Sequence, residues 1–489
     1  METLQRAANR GSVPTGYEID NSVSLDRHNS QYLQHTYDSA PTNLKKNTFS
    51  TWFKRTELDQ NQGLYQFGDS SSDDHNYIRF TREKFNGSNI SFRGKLGGTS
   101  LTFLGTVAKF RDTSGWYHVV VVWDTTQSTA TDRLELYING VKQTTALLST
   151  DNRSSITQNA DTANGANGEW VRIGHGVYNG SQYMAETHFV DGQALDATDF
   201  GEFDEDSGIW KPKEYTGTYG NNGFYLKFDD SSNMGADSSG NGHTFTLNNI
   251  SSTDQSTDTP TNNFAVVDVN NSVTSASDYM QIKEGATVIT SNQNNFSTTL
   301  STFALNKGKW YVEWKYPDNG STQIVVGIAS VDDLTKLTQT DAYSIYRTCT
   351  WYPKQSLTYY KNNGTVVTAS ATRNSSIAQN DIIGMYIDLD NNRMYFQKNG
   401  SDMNVGEVDA STLLFSESDL FDCNDIDIAI YTSVYDTTNK VQWNFGGYTA
   451  ITNTKSYSDP NGHGNFVYST TRSGTDYYAM CSRNIQEFG

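Results

Sequence analysis

Residues 115–141 read GWYHVVVVWDTTQSTATDRLELYINGV. Strand side chains alternate, so Trp116, His118, Val120 and Val122 would fall on one face and Tyr117, Val119, Val121 and Trp123 on the other. A strand that is apolar on both faces must be covered on both, which predicts a central strand in a curved sandwich. After a polar break at 124–132, Leu134, Leu136 and Ile138 alternate with Glu135, Tyr137 and Asn139. Asn139-Gly140 then supplies the positive-φ turn into Val141-Lys142. The pattern returns at 381–400 as DIIGMYIDLDNNRMYFQKNG. There Ile382, Gly384, Tyr386 and Asp388 oppose Ile383, Met385, Ile387 and Leu389, and Asp390-Asn391-Asn392 turns the chain toward Met394-Tyr395-Phe396. No stretch shows the i, i+3, i+4, i+7 apolar spacing of a capped helix, whereas period-2 runs bounded by Asn, Gly, Asp and Ser recur throughout. The fold class expected is all-β.

With 489 residues, 35% hydrophobic and 12% aromatic, the chain can bury more than one core. A formal net charge of −19 argues against nucleic acid or an anionic membrane as partner. The acidic residues are scattered among Asn, Ser, Thr and Gly, which reads as a solvated surface. Cys349, Cys423 and Cys481 give no disulfide framework and no zinc spacing. The N-terminal METLQRAANRGSVPTG lacks the apolar stretch of a signal peptide, and no apolar run approaches the ~20 residues of a membrane span. The expectation is cytoplasmic synthesis without general secretion and without membrane insertion. Abundant Thr, Ser, Asn and Gly with 29 Tyr nevertheless suits a cell exterior, a combination that fits a virion protein released by lysis.

Around the first hairpin lie further strand-like segments: NTFSTWFKRTEL (47–58), GLYQFGD (63–69), NYIRFTRE (76–83), NISFRG (89–94), EWVRIGHG (169–176) and YMAETHFVDGQAL (183–195). About seven short strands before residue 200 suit one jelly-roll-type sandwich. The order WFKR, GWYHVVVVWD, LELYINGV, VRIGHG and AETHFVDGQAL resembles the laminin-G-like, concanavalin-A-like lectin/glucanase superfamily over residues 17 to 200. That resemblance implies two curved antiparallel sheets and a carbohydrate or protein ligand, often beside calcium. The stretch IWKPKEYTGTYGNNGFYLKFDDSSNMGADSSGNGHTFTLNNIS (209–251), together with AANRGSVPTGYEIDNSV near the start, is similar to a recurrent type of structural or tail-fibre protein from marine tailed phages.

The second hairpin belongs to another module. KGKWYVEWKY (307–316), IVVGIAS (324–330), DIIGMYIDLDNNRMYFQKNG (381–400) and VQWNFGG (441–447), in that order, resemble the SPRY domain, which implies a protein-interaction sandwich without catalysis. The organisation expected is two concanavalin-A-like or jelly-roll β-sandwiches in series: an extended N-terminal arm (1–16), a laminin-G-like sandwich (17–215), a hairpin and linker region (216–290), a SPRY-like sandwich (291–448) and a C-terminal extension (449–489). Within the third part, SSTDQSTDTPTNNF (251–264) reads as a linker or an extended covering strand. The tail YYAMCSRNIQEFG is expected to pack back on a sandwich or on a neighbouring subunit.

Because the superfamily includes glucanases, GEFDEDSG (201–208) is the segment to test for paired carboxylates. Glu202, Asp204 and Asp206 would share a strand face, yet Ser207 stands where the last Glu of the glucanase Glu-x-Asp-x-x-Glu spacing belongs, and the flanks lack apolar alternation. A solvated loop is the expectation, with no catalytic residues assigned. His118 reads as a hydrogen-bonded core residue. Calcium is the one cofactor the sequence offers, since a hard cation needs six to eight oxygens. FGDSSSDDHNY supplies Asp69, Asp73 and Asp74; FDDSSNMGADSSGNGH supplies Asp229, Asp230, Asp237 and Asn241, the preferred set, with Asx-turns as the competing reading of both loops.

Sugar binding needs exposed aromatics beside hydrogen-bonding groups. Trp351, Tyr352, Tyr359 and Tyr360, in WYPKQSLTYYKNN (351–363), lie where SPRY domains have ligand-binding loops, and Tyr215, Tyr219 and Tyr225 form a second group. The sequence-level expectation is a phage tail-fibre or spike protein that binds a host-surface glycan or protein during adsorption. The arm would dock to other virion proteins. A homo-oligomer is expected, and a trimer by resemblance to fibre proteins alone, since no heptad run is present. A purely structural capsid-decoration or tail-connector role and a glycan hydrolase are the alternatives.

Overall fold

The computed structural model describes residues 16–58, 60–69, 74–82, 88–96, 99–270, 280–291, 296–316, 323–331, 348–352, 357–362, 365–369, 377–391, 393–403, 427–435, 440–448, 450–451 and 455–489. The arm expected at 1–16 lies outside this set except for Gly16. Contacts divide the chain into two compact units, Met1–Thr261 and Asn262–Gly489.

The strands of the first unit, in chain order, are β1 (Ser22–Leu25), β2 (Tyr32–Thr36), β3 (Lys46–Arg55), β4 (Gln62–Phe67), β5 (His75–Phe80), β6 (Ile90–Leu96), β7 (Thr99–Thr106), β8 (Tyr117–Asp124), β9 (Leu134–Ile138), β10 (Val141–Lys142), β11 (Leu148–Asp151), β12 (Trp170–Ile173), β13 (Gln182–Asp191), β14 (Gly201–Phe203), β15 (Trp210–Pro212), β16 (Phe224–Leu226), β17 (Thr246–Asn248) and β18 (Gln255–Ser256). One sheet runs β10-β9-β8-β3-β13-β1-β18, with β16 also on β13, and the other runs β11-β7-β6-β5-β4-β12-β2-β17. Strand β8 sits between β3 and β9, the central position that its two apolar faces predicted.

Those two faces have different partners. Val119, Val121 and Trp123 join Phe49, Phe53, Tyr65, Phe67, Ile78 and Phe92 in the core between the sheets. Val120 and Val122 join Trp52, Ala185 and Val190 in a second apolar layer on the outside of the sheet, roofed by Ile19, Ala197, Phe200 and Trp210. Fully burying a valine-sized or larger apolar side chain contributes about 1.5–3 kcal/mol, so both layers favour placing β8 here. At the hairpin tip Asn139 and Gly140 have φ of 46° and 76°, the two left-handed positions of a type I′ turn. A Cβ on Gly140 would come within 2.3 Å of the Trp210 ring, so the glycine also lets the roof close.

The region expected as hairpin and linker (216–290) is divided between the units. Strand β16 pairs β13, β17 pairs β2 and β18 pairs β1, which assigns its first half to the first sandwich. Residues 251–261 thus cover the first sandwich, through a 3-10 turn at Ser252–Asp254 and the short strand β18, with Ser256, Asp258, Thr259 and Thr261 buried. Their polarity misleads because each finds a partner: Lys54 Nζ lies 2.8 Å from Asp258 Oδ2, and Trp116 Nε1 donates to Asp258 Oδ1 at 3.0 Å.

In the second unit, strands β19 (Met280–Lys283), β20 (Val288–Ser291), β21 (Ser297–Leu300), β22 (Lys309–Lys315), β23 (Gln323–Ser330), β24 (Thr348–Tyr352), β25 (Leu357–Asn362), β26 (Thr365–Ala369), β27 (Ile382–Asp388), β28 (Arg393–Lys398), β29 (Ser401–Asp402), β30 (Ile428–Tyr435) and β31 (Lys440–Asn444) build a second sandwich. Its sheets run β19-β20-β31-β22-β27-β28-β29 and β21-β30-β23-β24-β25-β26. Ile383, Met385, Ile387 and Leu389 enter the core with Trp310, Trp314 and Trp443, while Tyr386 faces an outer layer with Tyr311, Phe466 and Tyr477, the alternation expected from sequence.

The C-terminal extension packs back on this sandwich. Tyr478–Ala479 adds a parallel strand to β22, and the helix Ser482–Phe488 follows it. The buried Glu313 carboxylate clamps the extension by accepting from the backbone N–H of Val467 (2.9 Å) and Tyr468 (2.8 Å), as well as from Tyr311 and Asn444 side chains.

Candidate functional site

The two sheets of the first unit differ on their outer sides. One carries the roofed apolar layer; among the described residues the outer face of the β2, β4, β5, β6, β12 sheet carries none. Alternation decides what it shows instead. With Ile78, Phe92, Val171 and Ile173 pointing into the core, Tyr77, Arg79, Arg93 and Arg172 point out. Gln34, Arg172, Gln66, Tyr77 and Arg93 are successive cross-strand neighbours, a row roughly 20 Å long at about 4.8 Å per strand.

Aromatic rings organise the cations on this face. The Arg172 guanidinium lies 4.2 Å from the Trp170 ring centroid and 5.1 Å from that of Tyr32, and its Nε donates to Gln34 Oε1 at 2.7 Å. Arg79 lies 5.9 Å from the Tyr77 ring and 5.4 Å from that of Tyr178. Such contacts hold a guanidinium in place while leaving N–H groups for a ligand.

A loop between β12 and β13 forms one wall. Val177 N–H donates to Gln66 Oε1 (2.9 Å) and Gly63 N–H to Tyr178 O (3.2 Å), fastening the loop to the sheet. Its tip holds Val177 at φ 69°, a left-handed conformation that a β-branched residue adopts only at a cost of about 1–3 kcal/mol. Tyr178, the next residue, is 44% exposed and its ring lies beside Arg79. His175 Nδ1 and Asn179 Oδ1 are buried there without a hydrogen-bond partner among the described residues. Burial, with Arg172 nearby, pushes the His175 imidazole down to about 4, so it is neutral at pH 7.

Gln66 and Arg79 are buried, but Tyr178 is exposed and Tyr32, Gln34, Tyr77, Trp170 and Arg172 are half-buried; such rings and polar groups together can bind a sugar, the rings meeting its apolar face and the polar groups its hydroxyls. Residues 27–193 match the concanavalin A-like lectin/glucanases superfamily, and residues 307–417 match the SPRY domain. A concanavalin A-like domain precedes a SPRY domain. No curated protein sequence matches the chain. Among solved structures, the SPRY domain of human HERC1 is 14% identical, with a TM-score of 0.26, covering 36% of this chain and 96% of its own. A heptameric SAP-like pentraxin from Limulus polyphemus is 15% identical, with a TM-score of 0.27, over 36% of this chain and 77% of its own. A Bacteroides ovatus protein described as carbohydrate binding is 14% identical, with a TM-score of 0.31, over 47% of this chain and 59% of its own.

Elsewhere in the concanavalin A-like domain, His118 is the hydrogen-bonded core residue expected. Trp210 Nε1 donates to its Nδ1 (3.1 Å), its Nε2 meets Ser50 Oγ (2.8 Å), Trp52 stacks on it, and burial pushes its pKa down to about 3. Within 201–208, Gly201–Phe203 is strand β14 and the rest turns into β15: the Asp204 carboxylate accepts the Ser207 N–H, and Lys211 sits 3.2 Å from Asp204 and 3.4 Å from Glu202. The solvated loop expected is thus found at 204–208, while 201–203 is an edge strand whose exposed Glu202 joins Asp204 in flanking a lysine.

The calcium set is not gathered around one point. Asp237 accepts the N–H groups of Tyr225, Ser239 and His243, while Asn241 Nδ2 donates to the carbonyls of Gly220 and Gly223. Asp230 accepts from Ser232, and Asp229 is exposed. A carboxylate ringed by N–H donors and an amide presenting its nitrogen are poorly suited to a cation, and the Asx-turn reading fits this loop. Among the described residues no group of three His, Cys, Asp or Glu side chains could hold a metal ion. Asp73 of the other loop lies outside the described residues.

Tyr215, Tyr219 and Tyr225 do converge, around His188 and Glu186. Tyr225 stacks on His188 at 4.2 Å, Tyr219 OH meets His188 Nδ1 at 2.9 Å, and Tyr17 and Tyr225 donate to the Glu186 carboxylate at 2.8 and 2.7 Å. Glu186 is itself at φ 47°, in the bulge that interrupts β13 against β3. Burial pushes its pKa up, but hydrogen bonds from His188, Tyr225 and Tyr17 outweigh it and leave the carboxyl below its usual range. This packed cluster ties Tyr17 to the sandwich.

In the SPRY domain, Trp351 and Tyr352 lie on β24 and Tyr359 and Tyr360 on β25, with Thr350 opposite Tyr359 and Cys349 opposite Tyr360. The four expected ligand residues are therefore on paired strands, and their side chains lie outside the described ones. The Trp170–Arg172 face went unassigned at the sequence level, although three strands spelled it at period two: Tyr77-x-Arg79, Arg93-x-Lys95 and Trp170-x-Arg172.

Proposed function

We propose that this chain is a tail-fibre or spike-type protein of a tailed-phage virion, and that its concanavalin A-like domain binds a glycan on the host surface during adsorption. The observation that carries the reading is the outer sheet face, where Trp170, Tyr32, Tyr77 and Tyr178 lie beside Arg172, Arg79 and Gln34 next to a strained loop tip. The virion setting rests on the resemblance of 209–251 and the N-terminal segment to phage structural proteins. The SPRY domain offers a second, protein-directed surface. In a homo-oligomer, a trimer by analogy with fibres, weak sites of both kinds would act together with raised avidity. Residues 1–16 are proposed to dock to a neighbouring virion protein.

The test is competition. Purified chain added to host cells should slow phage adsorption in a dose-dependent way, and Trp170→Ala chain should not. Adsorption that is unchanged by saturating wild-type chain, with the protein located on the capsid by immunogold imaging, would instead support a capsid-decoration role.

A further inference from the structure

The chain is strongly acidic, with 55 Asp and Glu against 36 Lys and Arg. Strands β2, β4, β5, β6, β7, β12 and β17 nevertheless contain no Asp or Glu, and β11 at the end of the same sheet carries only Asp151, which pairs with Arg153. Their basic residues, Arg79, Arg93, Lys95 and Arg172, all take outward positions by alternation with core residues. Among the described residues, the acids that follow or precede these strands closely in sequence are Asp38, Asp69, Asp74 and Glu169. An even scatter of charges would have put several acids among these strands.

Arg79 is the sharper sign. It is only 8% exposed, lies over two tyrosine rings, and its Nε is buried with no hydrogen-bond partner among the described residues. A guanidinium withdrawn from water is ordinarily paired with a carboxylate, because the desolvation cost is otherwise uncompensated. Its in-register neighbours on the adjoining strands are Gly63 and Ser91, neither of them acidic.

Resting on the glycan reading above, we infer that the occupant of this face is an acidic polysaccharide, whose anionic groups complete the Arg79 and Arg172 guanidinium groups while Trp170 and Tyr178 contact its sugar rings. Guanidinium forks match carboxylate and sulfate geometry in two-point hydrogen bonds. The net charge of −19 disfavours a densely charged polyphosphate, whereas a chain with anions spaced among neutral sugar faces suits isolated arginines set between rings.

The intact chain can be tested by affinity electrophoresis and titration against alginate, dextran sulfate, neutral dextran, single-stranded DNA and extracted host polysaccharide. Binding to alginate or dextran sulfate, weakened as salt rises from 0.05 to 0.5 M, is expected, with dextran inert; which acidic probe binds separates carboxylate from sulfate recognition. Arg79→Gln should weaken acidic binding about tenfold or more, as loss of a charge-assisted hydrogen bond implies. Should Arg79→Gln unfold, the more exposed Arg93→Gln/Lys95→Gln pair should flatten the salt dependence with thermal unfolding unchanged. Host polysaccharide bound equally by wild type and both variants, without salt dependence, would overturn the acidic ligand and leave the glycan reading standing. Absence of binding to any polysaccharide would overturn both, and tighter binding to DNA than to every saccharide would overturn the choice of ligand.

Discussion

At Val177, a β-branched residue sits at φ 69° where glycine or asparagine would be unstrained. Val177→Asn should therefore stabilise the first unit by about 1 kcal/mol, measured by urea unfolding. If instead it destabilises, the backbone there is not strained. Glu186 makes a pH-dependent contribution. Its folded pKa lies below the ordinary 4.5, so its stabilisation is fully present above about 4.5 and is lost as pH falls through the lowered folded value. Glu186→Gln should cost about 1.5–3 kcal/mol at pH 7, and the gap between wild type and variant should narrow as pH falls from about 4.5 through the lowered folded value. A gap that is constant down to pH 2.5 would contradict the ionised cluster. At this scale the sequence was legible wherever alternation alone decides: His118 and the faces of β8 followed from period two. The loop at 229–241 was not, since acidic residues in a turn look alike whether they face a cation or backbone N–H groups.

The covering segment 251–261 is the element that composition hides most completely. Its serines, threonines and aspartates look like linker, yet Asp258 is buried against Lys54 and Trp116. Asp258→Ala should destabilise the first unit by about 3–5 kcal/mol by leaving a buried ammonium without its carboxylate, and Lys54→Met in the same chain should restore much of the loss. Thermal denaturation of the three variants measures this, and an additive double variant would contradict the pairing. Hairpins, by contrast, were readable because an Asn-Gly turn constrains backbone sign locally; Asn139-Gly140 has the positive φ expected, and Asn399-Gly400 shows the same sign. The aromatic rings that close on them, Trp210 and Tyr468, come from distant segments that no local pattern connects to the turn.

Across the whole molecule, two separate interior cores belong to two compact units. Calorimetry should resolve two transitions, with Asp258→Ala lowering one and Glu313→Ala lowering the other; a single transition moved equally by both would contradict independent cores. The order of the two sandwiches was legible because each carries ordered strand landmarks. Their ligand face was not, since a binding surface is assembled from one or two residues on each of several strands. The most direct measurement is titration of extracted host-surface polysaccharide into the intact chain and into Trp170→Ala/Arg172→Gln. Saturable binding by the wild type, at least about thirtyfold weaker in the variant with both calorimetric transitions unmoved, is the result expected from lost ring and guanidinium contacts. Equal binding by the two proteins, or none by the wild type, would contradict the assignment of this face.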